Sequence, residues 1–131
     1  MKNEIKELSY SFGVGIVRHH SKLVGRGALS LGLQLLRSGT AVGALYREAE
    51  FAQSRADFIN KLSVSRKECN ESLYWLQLLH DTGFIDSSDH YSLSKQAQSL
   101  LNLLTAIIRT TLANTPKKSP RANPSSVIRH L

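Results

Sequence analysis

Apolar residues recur at alternating three- and four-residue intervals through most of this chain, and no stretch keeps the two-residue alternation of a strand. With 3.6 residues to a turn, that spacing gathers them on one side of an α-helix and leaves nothing from which to build a sheet. In residues 3–24 the stripe is Ile5, Leu8, Phe12, Ile16, His19 and Leu23. Gly25-Arg26-Gly27 interrupts it, and Ser30 is the expected N-cap of a second helix with the stripe Leu31, Leu35, Ser38, Val42, Leu45, Ala49 and Ala52. A third opens at Ser54-Arg55-Ala56-Asp57, which has the form of a capping box with Asp in place of Glu, and closes near Asp81-Thr82-Gly83. Residues 84–92, with Asp86-Ser87-Ser88-Asp89, have the composition of a turn. Beyond them Leu93, Ala97, Leu100, Leu104 and Ile107, with Leu101, Ile108 and Leu112 beside them, mark a fourth helix ending near Asn114.

Short connections between long helices make neighbours antiparallel, so the expected architecture is an all-α, up-down-up-down four-helix bundle over residues 1–114. The third helix bears apolar groups on more than one side, which predicts a central position for it. Gly13 and Gly15 lie inside the first helix, where each weakens it by about 1 kcal/mol relative to Ala, and this predicts close approach of a neighbouring helix. Ser38-Gly39-Thr40-Ala41 offers the same opportunity on the second. From Thr115 onward, Pro116, Pro120 and Pro124 stand among serines and cations, the composition of a disordered tail spanning 115–131.

The chain carries 17 Lys and Arg against 10 Asp and Glu, a net charge of +7. That excess favours polyanionic partners. It is unevenly spread: residues 1–49 carry +4, residues 50–114 carry −1, and residues 115–131 carry +4. Arg18, Lys22, Arg26, Arg37 and Arg47, together with Lys117, Lys118 and Arg121 of the tail, are therefore the candidate phosphate-binding residues. A protein-binding scaffold whose charge is incidental is the rival reading. A single cysteine, Cys69, excludes an intrachain disulfide framework and fits a reducing cytoplasm. Met1 to Tyr10 is interleaved with charges rather than forming the apolar core of a secretion signal, and no run approaches the roughly 20 apolar residues that span a bilayer.

Catalytic and metal chemistry find little foothold. His19-His20, His80, His90 and His130 show no i, i+4 pairing, and Glu48, Glu68 and Glu71 lack the Glu-x-x-His partners of a di-iron bundle. Those glutamates are better read as salt-bridge partners for Arg37, Arg47, Lys61, Arg66 and Lys67. Cys69 falls on an apolar helix face, and neither a nucleophile elbow, a P-loop nor a dinucleotide fingerprint occurs, so neither enzyme activity, cofactor nor metal is expected.

An ordered series of short motifs adds a resemblance. Gln34 to Ala44 (QLLRSGTAVGA), Glu48-Ala49, Asp57 to Leu62 (DFINKL), Lys67-Glu68, Glu71-Ser72 and Tyr74-Trp75-Leu76 together resemble the four-helix bundle proteins also called S23 or 23S rRNA intervening-sequence proteins. The resemblance runs from about residue 7 to residue 113. It implies a short bundle assembling into a ring-like homopentamer, with no enzyme activity. Some members are encoded within insertions in large-subunit rRNA genes. A related one serves diversity-generating retroelements as an accessory of the reverse transcriptase and looks like a nucleic-acid-binding partner protein. The chain departs from the pattern at Leu45, where the family usually has Asn, and at Ala41, where Ser is common, which puts any polar role there in doubt.

Overall fold

The computed structural model describes residues 3–114. Four helices follow one another, α1 (Glu4–Gly25), α2 (Leu29–Glu50), α3 (Arg55–Asp81) and α4 (Ser87–Ala113), with no strand among the described residues. Each packs against its neighbours around a closed square, α4 returning to α1, and the diagonal pairs do not meet. Contacts run in opposite senses along every adjacent pair: a Cβ at Gly39 or Gly43 of α2 would meet Ile16 or Ser9 of α1, and Cys69 and His80 of α3 bond Ala97 and Ser87 of α4. The bundle is therefore up-down-up-down. The wide stripe of α3 serves both α2 and α4, and α3 shares the central place with α2, the α2–α3 pair packing most extensively and α1–α4 least.

The boundaries follow from backbone bonding at the helix ends. Gly27, in the left-handed region at φ 84°, lets its own N–H reach the Val24 carbonyl and the next N–H, of Ala28, reach the Leu23 carbonyl. This 6→1 closure stops α1 and buries Ala28 beside Leu23. Ala28 then occupies the N-cap of α2, so Ser30 lies inside the first turn and is not the cap expected from the sequence. Gly83, at φ 85°, ends α3 in the same way, its own N–H reaching the His80 carbonyl and the Phe84 N–H the Leu79 carbonyl. Ser54 caps α3 as expected, its hydroxyl accepting the Asp57 N–H at 3.0 Å. Asp86 does the same for α4, accepting the Asp89 N–H at 2.8 Å, so residues 87–92 are helical rather than a turn.

The interior is mainly aliphatic, with Ile16, Leu35, Leu62, Leu76 and Leu104 beside the aromatic Phe12 among its fully buried side chains, each contributing about 1.5–3 kcal/mol by leaving water. A hydroxyl seam crosses it between α2 and α3, where buried Ser38 and Ser72 share a hydrogen bond at 2.9 Å and Ser65 donates to the Val42 carbonyl at 2.8 Å. Tyr46, not Leu45, completes the buried face of α2, and its phenol oxygen accepts from Asn3 Nδ2 at 2.9 Å. The small-residue expectation holds at Gly39, where an added Cβ would lie 2.8 Å from Ile16 Cγ1, and at Gly15, 3.2 Å from Leu93 Cδ2. It fails at Gly13, where such a Cβ would meet nothing within 4 Å.

Candidate nucleic-acid interface

The candidate cations fall into three groups. Arg18 and Lys22 lie along one edge of α1 as i, i+4 neighbours do, and Arg26, the C-cap residue, follows at the same four-residue interval. Lys22 Nζ lies 3.7 Å from Asp89 Oδ2 of α4, and Arg26 Nη1 donates to the Phe84 carbonyl at 2.8 Å, so both tie α1 to the start of α4 while remaining exposed. Arg18 and Arg47 are exposed and belong to no ion pair among the described residues. Arg47 holds its guanidinium carbon 5.7 Å from the centre of the Tyr10 ring. Lys117, Lys118 and Arg121 lie outside the described residues.

Arg37 stands apart on the α2–α3 side. Its Nη1 donates to Glu68 Oε2 at 3.0 Å and its Nη2 to Glu71 Oε1 at 2.7 Å, and Trp75 Nε1 donates to the same Glu71 oxygen at 3.0 Å. The indole N–H, and then the guanidinium, hold the Glu71 carboxyl below its ordinary range, while Glu71 in turn raises Arg37. This is the ion-pair arrangement expected for the glutamates. It involves Arg37 alone, since Arg47, Lys61, Arg66 and Lys67 enter no ion pair among the described residues. Two carboxylates have already taken the charge of Arg37.

Arg18 and Arg47 flank a groove of about 520 Å³ between α1 and α2, with Tyr10, Gly13, Val14 and Val17 on one wall and Thr40, Gly43 and Ala44 on the other. Its origin is steric. Gly39 and Gly43 bring the two backbones together on the inner side, and the small residues Gly13, Gly43 and Ala44 leave the outer side unfilled. Nothing in the sequence reading identified this groove. Its signal is a second three-four stripe on α1, Tyr10, Val14, Val17 and Val24, displaced from the core stripe.

Among the described histidines, His80 and His90 come together and His19 lies apart from them. His19 is buried with Nε2 3.9 Å from Asp89 Oδ2, and burial lowers its pKa against the opposing pull of that carboxylate. His80 and His90 stack with ring centres 4.4 Å apart across the α3–α4 turn. Among the described residues no three His, Cys, Asp or Glu side chains form a group that could hold a metal ion, and no described helix is long and apolar enough to cross a membrane.

The family pattern described as 23S rRNA-intervening sequence protein matches residues 1–106. The chain belongs to that family. Among solved structures, the bundle of this intervening-sequence family member is similar to a crystal structure, at 1.70 Å resolution, of a protein of unknown function from the S23 ribosomal protein family of Bacteroides thetaiotaomicron. The two share 45% sequence identity over 79% of this chain and 97% of that one, with a TM-score of 0.78. No curated protein matches the chain. The motifs that carry the family resemblance take on a physical meaning in the bundle. Arg37, Ser38, Glu68, Glu71, Ser72 and Trp75 make the α2–α3 clasp and hydroxyl seam, while Gly39 and Gly43 seat α1 on α2. They specify how an intervening-sequence family bundle packs, and Arg18, Lys22, Arg26 and Arg47 lie outside them.

Proposed function

We propose that this family member is a non-enzymatic, homo-oligomeric helical-bundle protein, pentameric as the resemblance implies, that binds nucleic acid, RNA in particular, through its basic surface. The observation that carries the reading is the exposed edge Arg18, Lys22 and Arg26, with Arg47 further along the α1–α2 side, a set of cations outside the carboxylate clasp that holds Arg37. Phosphate contacts ask for clustered, exposed cations and no base-reading geometry. Lys117, Lys118 and Arg121 add charge from the tail. A ring of such protomers multiplies the same edge around one assembly and raises avidity for a long polyanion. The cytoplasm, where a lone cysteine stays reduced and RNA is at hand, is the proposed setting.

The test is anisotropy of a labelled structured RNA titrated with the full-length protein across a salt series, with absolute mass by light scattering in parallel. Affinity should fall with a log–log slope of about −0.7 to −0.9 per phosphate contacted. Arg18→Glu combined with Lys22→Glu and Arg26→Glu should abolish binding, whereas Arg37→Gln should leave the slope unchanged. Absence of binding at low salt refutes the reading. A second reading, a scaffold or adaptor for a protein partner such as a reverse transcriptase, is favoured by the uncovered apolar groove.

A further inference from the structure

We propose that the α1–α2 groove is the seat of an acidic amphipathic helix from a partner protein. The inference rests on the adaptor reading and names its site. Of the nine large apolar residues exposed among the described residues, Tyr10, Val17, Val24, Leu29 and Leu33 belong to α1 and α2, and at 100° per residue all five turn to the outer side on which the groove lies, Tyr10 and Val17 lining it directly. An apolar face of this kind on a small bundle is the mark of a binding surface. The groove lining runs from Ser9 to Arg18 on α1, about 14 Å, or some two and a half turns of a helix laid along it.

The charge at its rim selects the partner. Because Ile16 faces Gly39 and Ser9 faces Gly43, Arg47 lies level with about residue 6 or 7 of α1, roughly three helical turns or about 17 Å from Arg18. A helix laid along the groove meets both guanidiniums if it carries carboxylates three turns apart, near i and i+11, with apolar residues at i+4 and i+7 between them. Such a helix covers Val14 and Val17, fills the space above Gly13, and pairs two arginines that have no carboxylate of their own. A second copy related by a two-fold axis would oppose arginine to arginine. Nucleic acid satisfies the arginines and leaves the apolar floor in water.

Gly13 supplies the decisive variant. A Cβ there meets no atom within 4 Å and points into the groove, so Gly13→Leu is chosen to fill the groove, and it restores helix propensity lost to glycine. The probe is a fluorescein-labelled designed amphipathic peptide of about 18 residues with two glutamates three turns apart bracketing leucines, titrated into the full-length protein. Saturable binding is expected. It should be weakened at least about tenfold by Gly13→Leu, by Arg18→Glu with Arg47→Glu, and by exchanging the peptide glutamates for lysines. Thermal unfolding of Gly13→Leu should occur at or above the wild-type temperature. Equal peptide affinity in Gly13→Leu overturns the site and leaves an adaptor working through another surface. Failure of the peptide to bind any form while RNA binds overturns the adaptor reading with it. Loss of self-association in Gly13→Leu, read by light scattering, assigns the groove to a second copy and overturns the partner helix.

Discussion

Two glycines in adjacent helices should respond in opposite ways to the same substitution. Replacing either Gly13 or Gly39 by Ala adds one methyl and gains about 1 kcal/mol of helix propensity. At Gly13 the methyl meets no atom within 4 Å, so most of that gain survives and the variant should be about 0.5–1 kcal/mol more stable. At Gly39 it would stand 2.8 Å from Ile16 Cγ1 and 3.0 Å from Cγ2, well inside the roughly 3.5–4.0 Å of a favourable carbon contact. Ile16 is 1% exposed and packed on all sides, so the helices must part, and overpacking of this kind costs about 1–3 kcal/mol. The two variants should therefore differ by about 1–3 kcal/mol, or several degrees in Tm for a bundle of this size. Urea unfolding followed by circular dichroism measures the difference, at two fixed protein concentrations so that self-association does not mask it. Ile16→Ala, which removes both Cγ atoms, should cost less in the Gly39→Ala background than in the wild type, a coupling of about 0.5 kcal/mol or more. Equal shifts in the two glycine variants, or strict additivity with Ile16→Ala, would refute the packing argument.

Ser54→Ala should destabilise the bundle by about 1 kcal/mol through loss of the α3 cap, and Asp86→Ala should speed amide exchange at Asp89, measured by hydrogen–deuterium exchange. Burial lowers the pKa of His19 and of His90 from the ordinary value of 6.5, so the unfolded chain takes up protons more readily than the fold. Stability should be full above that value and decline as pH falls through the range below it, and His19→Leu should flatten part of the decline in thermal melts run across pH. Burial pushes the Cys69 thiol up to about 12, so it should resist Ellman's reagent at pH 8 in the native protein and react at the rate of unfolding in urea.

The helical periods and the breaks at Gly27 and Gly83 were legible because each records a local event. Where the sequence reading went astray, one residue type served two purposes. Asp86-Ser87-Ser88-Asp89 obeys the same capping grammar as Ser54 to Asp57, but the polar residues that cap helices also build turns, and what separates the cases is the backbone angle. Ser30 is a sound cap by type, yet the closure through Gly27 and Ala28 had already set the start of α2. Leu45 and Tyr46 both satisfy three-four spacing between Val42 and Ala49, and the rotation of α2 chose the tyrosine. The candidate site was less legible. Arg37 looks like Arg47 in sequence, and only the fold reveals Glu68 and Glu71 beside the one and Tyr10 beside the other. Gly13 and Gly39 likewise share a type, while one opens a groove and the other closes a helix contact.

The return of α4 to α1 means that the order in which the helices are strung together is separable from their arrangement. Asn3 at the start of α1 bonds Tyr46, and Arg55 at the start of α3 bonds the Asn114 carbonyl at the finish of α4, so the two extremities of the described fold are laced to the same end of the bundle. A circularly permuted chain, opened at the Gly83 turn and joined by a short linker between those extremities, would keep every interhelical seam. It would also place its new termini at the opposite end of the bundle, beside the stacked His80 and His90, giving a handle for tethering the protein from either end.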